Sequence, residues 1–207
     1  MGNEHFKTRV LVDVGLDIST SIVGVTILNS KTSELISMEA VKLNKARFKD
    51  VWDKADHINE SLAAAFDLTR YRVNRIFVEE AHMKFTPGFS SAKTLFTLSR
   101  FNGIVSYQAH VLFGVKPIMV NVRTARKQLG IKIDRKDKTK STKDKVFEIV
   151  RTMNPGFPWE QHIAKTGHSK GQMIYGKHNF DMADAWVIVK GGAIIHNSTS
   201  GSKKDKV

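Results

Sequence analysis

The sequence predicts an α/β fold, one mixed five-stranded sheet flanked by helices. Three β-rich segments follow one another at the start with only short polar breaks between them. After them, segments of helical and of strand-like pattern alternate, and the last is helical, which gives the order βββαβαβα. The length of 207 residues suits one well-buried domain better than two, and no internal repeat or linker divides it.

Residues 9–18 (RVLVDVGLDI) are rich in Val and Leu and read as a strand. Residues 22–28 and 35–43 read as two more. The breaks Ser19-Thr20-Ser21 and 29–33 suit turns, so the three should form an antiparallel meander. Residues 48–70 are then expected to be helical, because Phe48, Trp52, Ala55, Ile58, Leu62 and Phe66 fall at steps of three or four. Residues 73–79 are a fourth strand. A Gly/Pro/Ser stretch, 86–91, separates it from a second long helix at 92–113. A fifth strand at 115–120 and shorter helices at 123–129 and 141–153 follow. Residues 154–179, with Pro155, Pro158 and four glycines, are expected to be irregular. A final helix starts near Asp181 and runs to about Ile195. The Ser- and Lys-rich tail, 197–207, is expected to be disordered, leaving residues 1–196 as the folded domain.

Charge narrows the function classes. Thirty-three Lys and Arg against twenty Asp and Glu leave +13, with a sequence pI near 9.9. Such a balance favours a polyanionic partner, and with no basic amphipathic anchor helix evident nucleic acid comes before a membrane; no apolar run reaches membrane-spanning length. The absence of cysteine removes disulfides, zinc thiolates and cysteine nucleophiles together, and fits a cytoplasmic protein.

Four acids sit at the ends of elements. Asp17 ends the first strand, Glu79 ends the fourth, and Asp181 and Asp184 open the last helix one turn apart on one face. If the first and fourth strands are parallel neighbours, Asp17 and Glu79 meet at one edge of the sheet. Four carboxylates in one place repel unless cations neutralise them, and hard oxygen ligands suit Mg²⁺ or Mn²⁺. Two such ions, about 3.5–4 Å apart, would clamp a phosphodiester. Each acid also has a plainer reading: Asp17 as a turn residue, Asp181 as a helix cap, Glu79 and Glu80 as surface charges. Asp13 shares a strand face with Asp17 but lies deeper, and Glu80 competes with Glu79.

Three motifs carry a family resemblance. Gly15-Leu16-Asp17-Ile18-Ser19, with Gly24 after it, resembles the first motif of the RuvC family of Holliday junction resolvases. Val78-Glu79-Glu80-Ala81-His82-Met83 resembles the second, and Asp181-Met182-Ala183-Asp184-Ala185 the Asp-x-x-Asp-Ala signature of the last helix. The motifs arrive in the family's order over residues 9–195. The resemblance implies an RNase H-like nuclease fold, Asp17, Glu79, Asp181 and Asp184 as catalytic metal ligands, a homodimer, and paired incisions across branched double-stranded DNA. Ile18-Ser19 stands where cellular members commonly have Pro-Gly, and the lysines around 132–145 are unusual, features that resemble a divergent phage member working in a bacterial or infected host cytoplasm.

Residues 123–151 hold eleven Lys or Arg against four acids, a local net of +7. Phosphate contact with strong salt dependence follows from that density. Lys127, Lys143 and Lys145 are the candidates, with Lys143 and Lys145 aimed at the scissile region; residues 136–140 read equally as a solvated loop. After Glu79, the side chains of His82, Met83, Phe85 and Phe89 are candidates to meet unpaired bases, and either Phe could instead bury itself against the next helix. His178 lies close enough to Asp181 to assist protonation or position water. His162, His168 and His178 lie at wide spacing, and a zinc site among them has little support without cysteine. On the helix 92–113, Leu95, Leu98, Asn102, Val105, Ala109 and Leu112 form an apolar stripe with Phe96 and Phe101 outside it, which supplies material for a dimer contact. A rival reading takes Asp17-Ile18-Ser19-Thr20-Ser21 as the phosphate loop of an actin-like or sugar-kinase ATP-binding protein; that class typically needs a longer, two-domain chain and has no use for +13. Another RNase H-like nuclease, cutting flaps, three-way junctions or RNA–DNA hybrids, would use the same acids.

Overall fold

A computed structural model describes residues 8–44, 46–80, 92–134, 136, 139–167 and 169–201. The elements are β1 (Val10–Ile18), β2 (Ile22–Asn29), β3 (Leu35–Lys42), α1 (Val51–Ala65), β4 (Tyr71–Glu79), α2 (Ala92–Phe113), β5 (Pro117–Val120), α3 (Val122–Gln128), α4 (Thr142–Met153), β6 (Gln161–Ile163), β7 (Met173–Tyr175) and α5 (His178–Gly201). The main sheet has the order β3-β2-β1-β4-β5. β1, β2 and β3 pair antiparallel, whereas β4 pairs parallel with both β1 and β5. The sheet is therefore mixed and five-stranded, its antiparallel meander is the one the sequence predicts, and β1 and β4 meet the condition under which Asp17 and Glu79 share one edge.

Strand alternation divides β1 between two layers. Val12, Val14, Leu16 and Ile18 pack with Ala55, Ile58 and Leu62 of α1 and Phe101, Val105 and Ala109 of α2. The opposite face carries Asp13, Gly15 and Asp17. There Phe77 and Val120 pack with Ala125 of α3, Val146, Phe147 and Val150 of α4, and Met182, Trp186 and Val189 of α5. Buried on both sides, β1 is the centre of a three-layer sandwich, and burial of each such aliphatic side chain stabilises the fold by about 1.5–3 kcal/mol.

Two glycines set how closely α5 lies on the sheet. A Cβ at Gly24 would overlap the Asp181 carbonyl oxygen, and one at Gly15 would overlap the Ala185 carbonyl and the Val189 side chain. The helix backbone thus rests against strand backbone at two points, one of them at Asp181 itself. Thr26 adds a buried hydrogen bond from its Oγ1 to the Met182 carbonyl at 3.3 Å.

The structure corrects three boundaries. The first helix is shorter than 48–70: Asp50 caps its N-terminus by accepting from the Trp52 and Asp53 amides, and the chain is extended at Phe66. Phe48 and Phe66 still join the core from outside the helix, which is why the spacing pattern overran it. The stretch 154–179 is not simply irregular, since β6 and β7 form a hairpin within it. The last helix begins at His178 rather than near Asp181 and continues to Gly201. It takes in the first five residues of the expected disordered tail, and residues 202–207 lie outside the described ones.

Candidate active site

Register places the first two acids side by side. Leu16 pairs with Val78 across β1 and β4, so Asp17 and Glu79 are the next residues at the carboxyl ends of parallel neighbours. Phe77 belongs to the α5 side of the sheet, and alternation puts Glu79 on that side with it and Glu80 on the other. Asn102 of α2 fixes the end of β4 by donating to the Glu79 carbonyl at 3.2 Å, and the Glu80 amide bonds the Val120 carbonyl at 2.9 Å. The β1–β2 turn is held by Ser19, whose Oγ donates to the Ile22 carbonyl at 2.7 Å and accepts from the Ile22 amide at 3.1 Å.

α5 brings the other two acids over this strand end, close enough that Asp184, Glu79 and Asp181 all act on Asp17. Asp17 and Asp184 are each only 7% exposed. Burial pushes the Asp17 carboxyl well above its ordinary range, and repulsion from Asp184, Glu79 and Asp181 pushes it further, against a smaller opposing pull from Lys143. Burial likewise raises Asp181, despite Lys143, with Asp184 adding to the effect. Lys143 is the counterpart: burial works against its charge, but Asp181, Asp184 and Asp17 together hold it above its ordinary value.

Two cations lie among these acids. Lys143 Nζ, from the first turn of α4, reaches Asp181 Oδ1 at 3.3 Å. Arg126 of α3 reaches Asp184 Oδ1 at 2.9 Å, and its buried Nε has no hydrogen-bond partner among the described residues. Among the described residues no three His, Asp or Glu groups close into a metal-ligand cluster. The four acids are neighbours, with two of them leaning on cations. An all-oxygen donor set with an excess of negative charge fits hard divalent ions in its chemistry.

The other expected site residues divide clearly. Asp13 is occupied elsewhere, accepting from Arg75 Nε at 3.0 Å, Asn74 at 3.2 Å and Ser30 at 2.7 Å. Lys145 donates to the Asp134 carbonyl at 2.8 Å, and Lys127 is exposed; no bond of either to the four acids is observed. His178 Nε2 meets Glu160 at 2.9 Å. His82, Met83, Phe85 and Phe89 lie outside the described residues. Arg126 is the residue that sequence reasoning passed over. Val122 and Ala125 form the buried edge of α3, and helical spacing from Val122 puts residue 126, not 127, beside that edge.

No protein-family model matches this chain, and no curated protein sequence does. Solved structures do resemble it. Thermus thermophilus RuvC in complex with a Holliday junction substrate matches with a TM-score of 0.59 at 16% identity, over 91% of this chain and 96% of that one. Thermus thermophilus RuvC in another structure matches with 0.55 at 16% identity over the same shares. The yeast mitochondrial Holliday junction resolvase Ydc2 matches with 0.51 at 11% identity, over 94% of this chain and 85% of that one. The chain has the RuvC, RNase H-like fold.

Proposed function

We propose that the protein is a divergent RuvC-type resolvase: a Mg²⁺- or Mn²⁺-dependent endonuclease that cuts branched double-stranded DNA, resolving four-way junctions by paired incisions. The observation that carries this reading is the convergence of Asp17, Glu79, Asp181 and Asp184 from two strand ends and one helix, on a fold shared with proteins whose structures are described as junction resolvases.

Asp17, Glu79, Asp181 and Asp184 would hold the metal, with Asp17 central because all three other acids act on it. The chemistry supplied when two ions are bound there is activation of a water and stabilisation of the leaving 3′ oxygen. Lys143 steadies Asp181 and carries positive charge to the mouth of the site, where a phosphate must enter. Arg126 fixes the Asp184 carboxylate, and the unpartnered Nε leaves it one further donor. His178, paired with Glu160, stiffens the start of α5 rather than offering a free imidazole. The working compartment on this reading is the cytoplasm of a bacterium or of its phage-infected host; among the described residues no helix is long and apolar enough to cross a membrane.

A junction has two equivalent strands to cut, so a two-fold homodimer would present one site to each. The dimer contact expected on α2 needs a different face from the apolar stripe of the sequence. Asn102, Val105 and Ala109 are buried in the chain's own core, with Phe101. Phe96, Tyr107 and Val111 are largely exposed, and with Arg100 and Gly103 between them they follow helical spacing along one outer stripe. We assign the contact to that stripe. The test of the whole reading is a panel of labelled four-way, three-way, flap, linear duplex and RNA–DNA substrates incubated with Mg²⁺. Symmetric cuts in the four-way junction are expected, and cutting of RNA–DNA alone would move the protein to another RNase H-like activity.

A further inference from the structure

Between α4 and α5 the chain makes an excursion that the proposed chemistry does not use. β6 and β7 pair Gln161 with Tyr175, His162 with Ile174 and Ile163 with Met173. The ribbon continues past them, with the Ala164 amide bonded to the Gln172 carbonyl at 2.9 Å and the Gly171 amide to the Ala164 carbonyl at 2.8 Å. Gly167 and Gly171, with φ of +79° and +83°, supply the left-handed positions that its turn requires. This is a hydrogen-bonded arm, not slack chain.

Its charge is one-sided. From residue 161 to residue 180 there is no Asp or Glu, against Lys165, Lys170 and Lys177 and three histidines. All three lysines are exposed, and no ion pair of theirs is observed among the described residues. Arg151, whose guanidinium lies 5.5 Å over the Tyr175 ring, adds a cation at the root. Three like charges on a short ribbon repel one another, so the arm is arranged for a partner that carries the opposite charge.

The root is tied to the catalytic helix. The Glu160 carbonyl accepts from Asn179 Nδ2 at 2.8 Å and from the Gly176 amide at 3.1 Å, while the Glu160 carboxylate holds His178 at 2.9 Å. Phe147 of α4 packs its ring against Trp159, Tyr175 and Phe180 at centroid distances of 5.0–5.2 Å. His178 and Asn179 belong to the same first turn as Asp181, so the arm springs from within about one helical pitch, 5.4 Å, of a candidate metal ligand.

Resting on the nuclease reading above, we infer that the β6–β7 hairpin is a second DNA contact, an arm that grips the phosphate backbone of a duplex flanking the cut strand. Its lysines contact phosphate without reading sequence, and its root transmits the position of that duplex to the start of α5. The test is fluorescence anisotropy of a labelled four-way junction bound to the full chain in Ca²⁺, titrated with salt. The variant Lys165→Gln/Lys170→Gln/Lys177→Gln is compared with Lys31→Gln/Arg72→Gln/Lys116→Gln, which removes the same charge from the far end of the sheet. Each phosphate contact contributes about 0.9 to the slope of log affinity against log salt. The hairpin variant should therefore lose about 2.7 from the slope and, at 0.1 M salt, bind about 500-fold more weakly. The control should keep the wild-type slope. A hairpin variant with the wild-type slope, or an equal loss in both variants, overturns the arm. Wild-type protein that binds with the expected slopes but cuts nothing in Mg²⁺ sinks the nuclease reading and leaves the arm standing, whereas wild-type protein that does not bind branched DNA sinks both.

Discussion

Asp17→Asn should stabilise the metal-free protein at neutral pH while removing its activity. Asp17 is almost fully buried and faces three like-charged side chains, Asp184, Glu79 and Asp181. Lys143 pairs with Asp181 and Arg126 with Asp184, which offsets part of that repulsion. A like charge about 6 Å away costs about 3 kcal/mol at an effective dielectric constant of about 20. The asparagine keeps the shape but must bury its own amide, which offsets about 1–2 kcal/mol. The net gain is then about 1–2 kcal/mol, or about 2–8 °C in Tm for a chain of this size. The sign with pH follows from the raised carboxyl. Near pH 4, at the ordinary carboxyl value, Asp17 is protonated in the folded chain and about half ionised in the unfolded one, so the repulsion is absent and the variant loses its advantage, keeping only the cost of its buried amide. As pH rises from there through the raised folded value, the wild-type chain loses stability that the variant keeps, and the gap is constant above it. Thermal unfolding by circular dichroism in EDTA, from pH 4 to 9, measures this directly. A variant less stable than wild type at pH 8, or a gap independent of pH, would refute the claim that the four carboxylates repel one another in one site.

The remaining predictions concern cleavage, charge and assembly. Mg²⁺ and Mn²⁺ should support junction cutting, Ca²⁺ binding only, and Asp17→Asn, Glu79→Gln or Asp184→Asn should bind junctions while cutting at least about 100-fold more slowly; full activity in EDTA would rule this chemistry out. Lys143→Gln should slow single-turnover cleavage at saturating enzyme, whereas Lys145→Gln, whose lysine turns to the Asp134 carbonyl, should act mainly on affinity; equal effects on rate would show that Lys143 has no special place at Asp181. Tyr107→Asp with Val111→Asp should convert a dimer into a monomer of 23.3 kDa in analytical ultracentrifugation, and a wild-type chain that is monomeric at micromolar concentration yet makes paired cuts in one binding event would end the dimer model.

The sheet was legible because its strands announce themselves by composition and their breaks by polarity. Ser19-Thr20-Ser21 and Asn29-Ser30-Lys31-Thr32-Ser33 are too short for anything but antiparallel turns, and helix-length segments between later strands leave parallel pairing as the natural outcome. Apolar spacing misled where the core extends past an element. Phe48 and Phe66 are in phase with α1 without belonging to it, because periodicity reports which side chains reach the core and not where backbone hydrogen bonding stops. The same limit applies to α2. Its longest apolar stripe serves its own sheet, and the exposed Phe96, Tyr107 and Val111 stand out only once that stripe has been spent on burial. The β6–β7 hairpin escaped because strands of three residues are shorter than any alternation that could reveal them.

The acids and the cations of the site differ in legibility for a physical reason. Asp17, Glu79, Asp181 and Asp184 stand at element ends, and the spacing of two of them on one helix turn is a local property. Asp13 satisfies the same alternation but lies deeper along β1, where Arg75, brought into register by a slip in the β1–β4 pairing, holds it together with Asn74 and Ser30. Which cation meets which acid depends on the rotation of α3 and α4 about their own axes against α5, and that rotation is set by packing of Val122, Ala125, Val146 and Phe147 in the shared core. One residue of difference along a helix turns a side chain by about 100°, enough to send Lys127 to solvent and Arg126 to Asp184. A dense basic segment therefore reveals that some cations face the acids but not which, and the site's charge balance is a tertiary property laid over a local pattern of carboxylates.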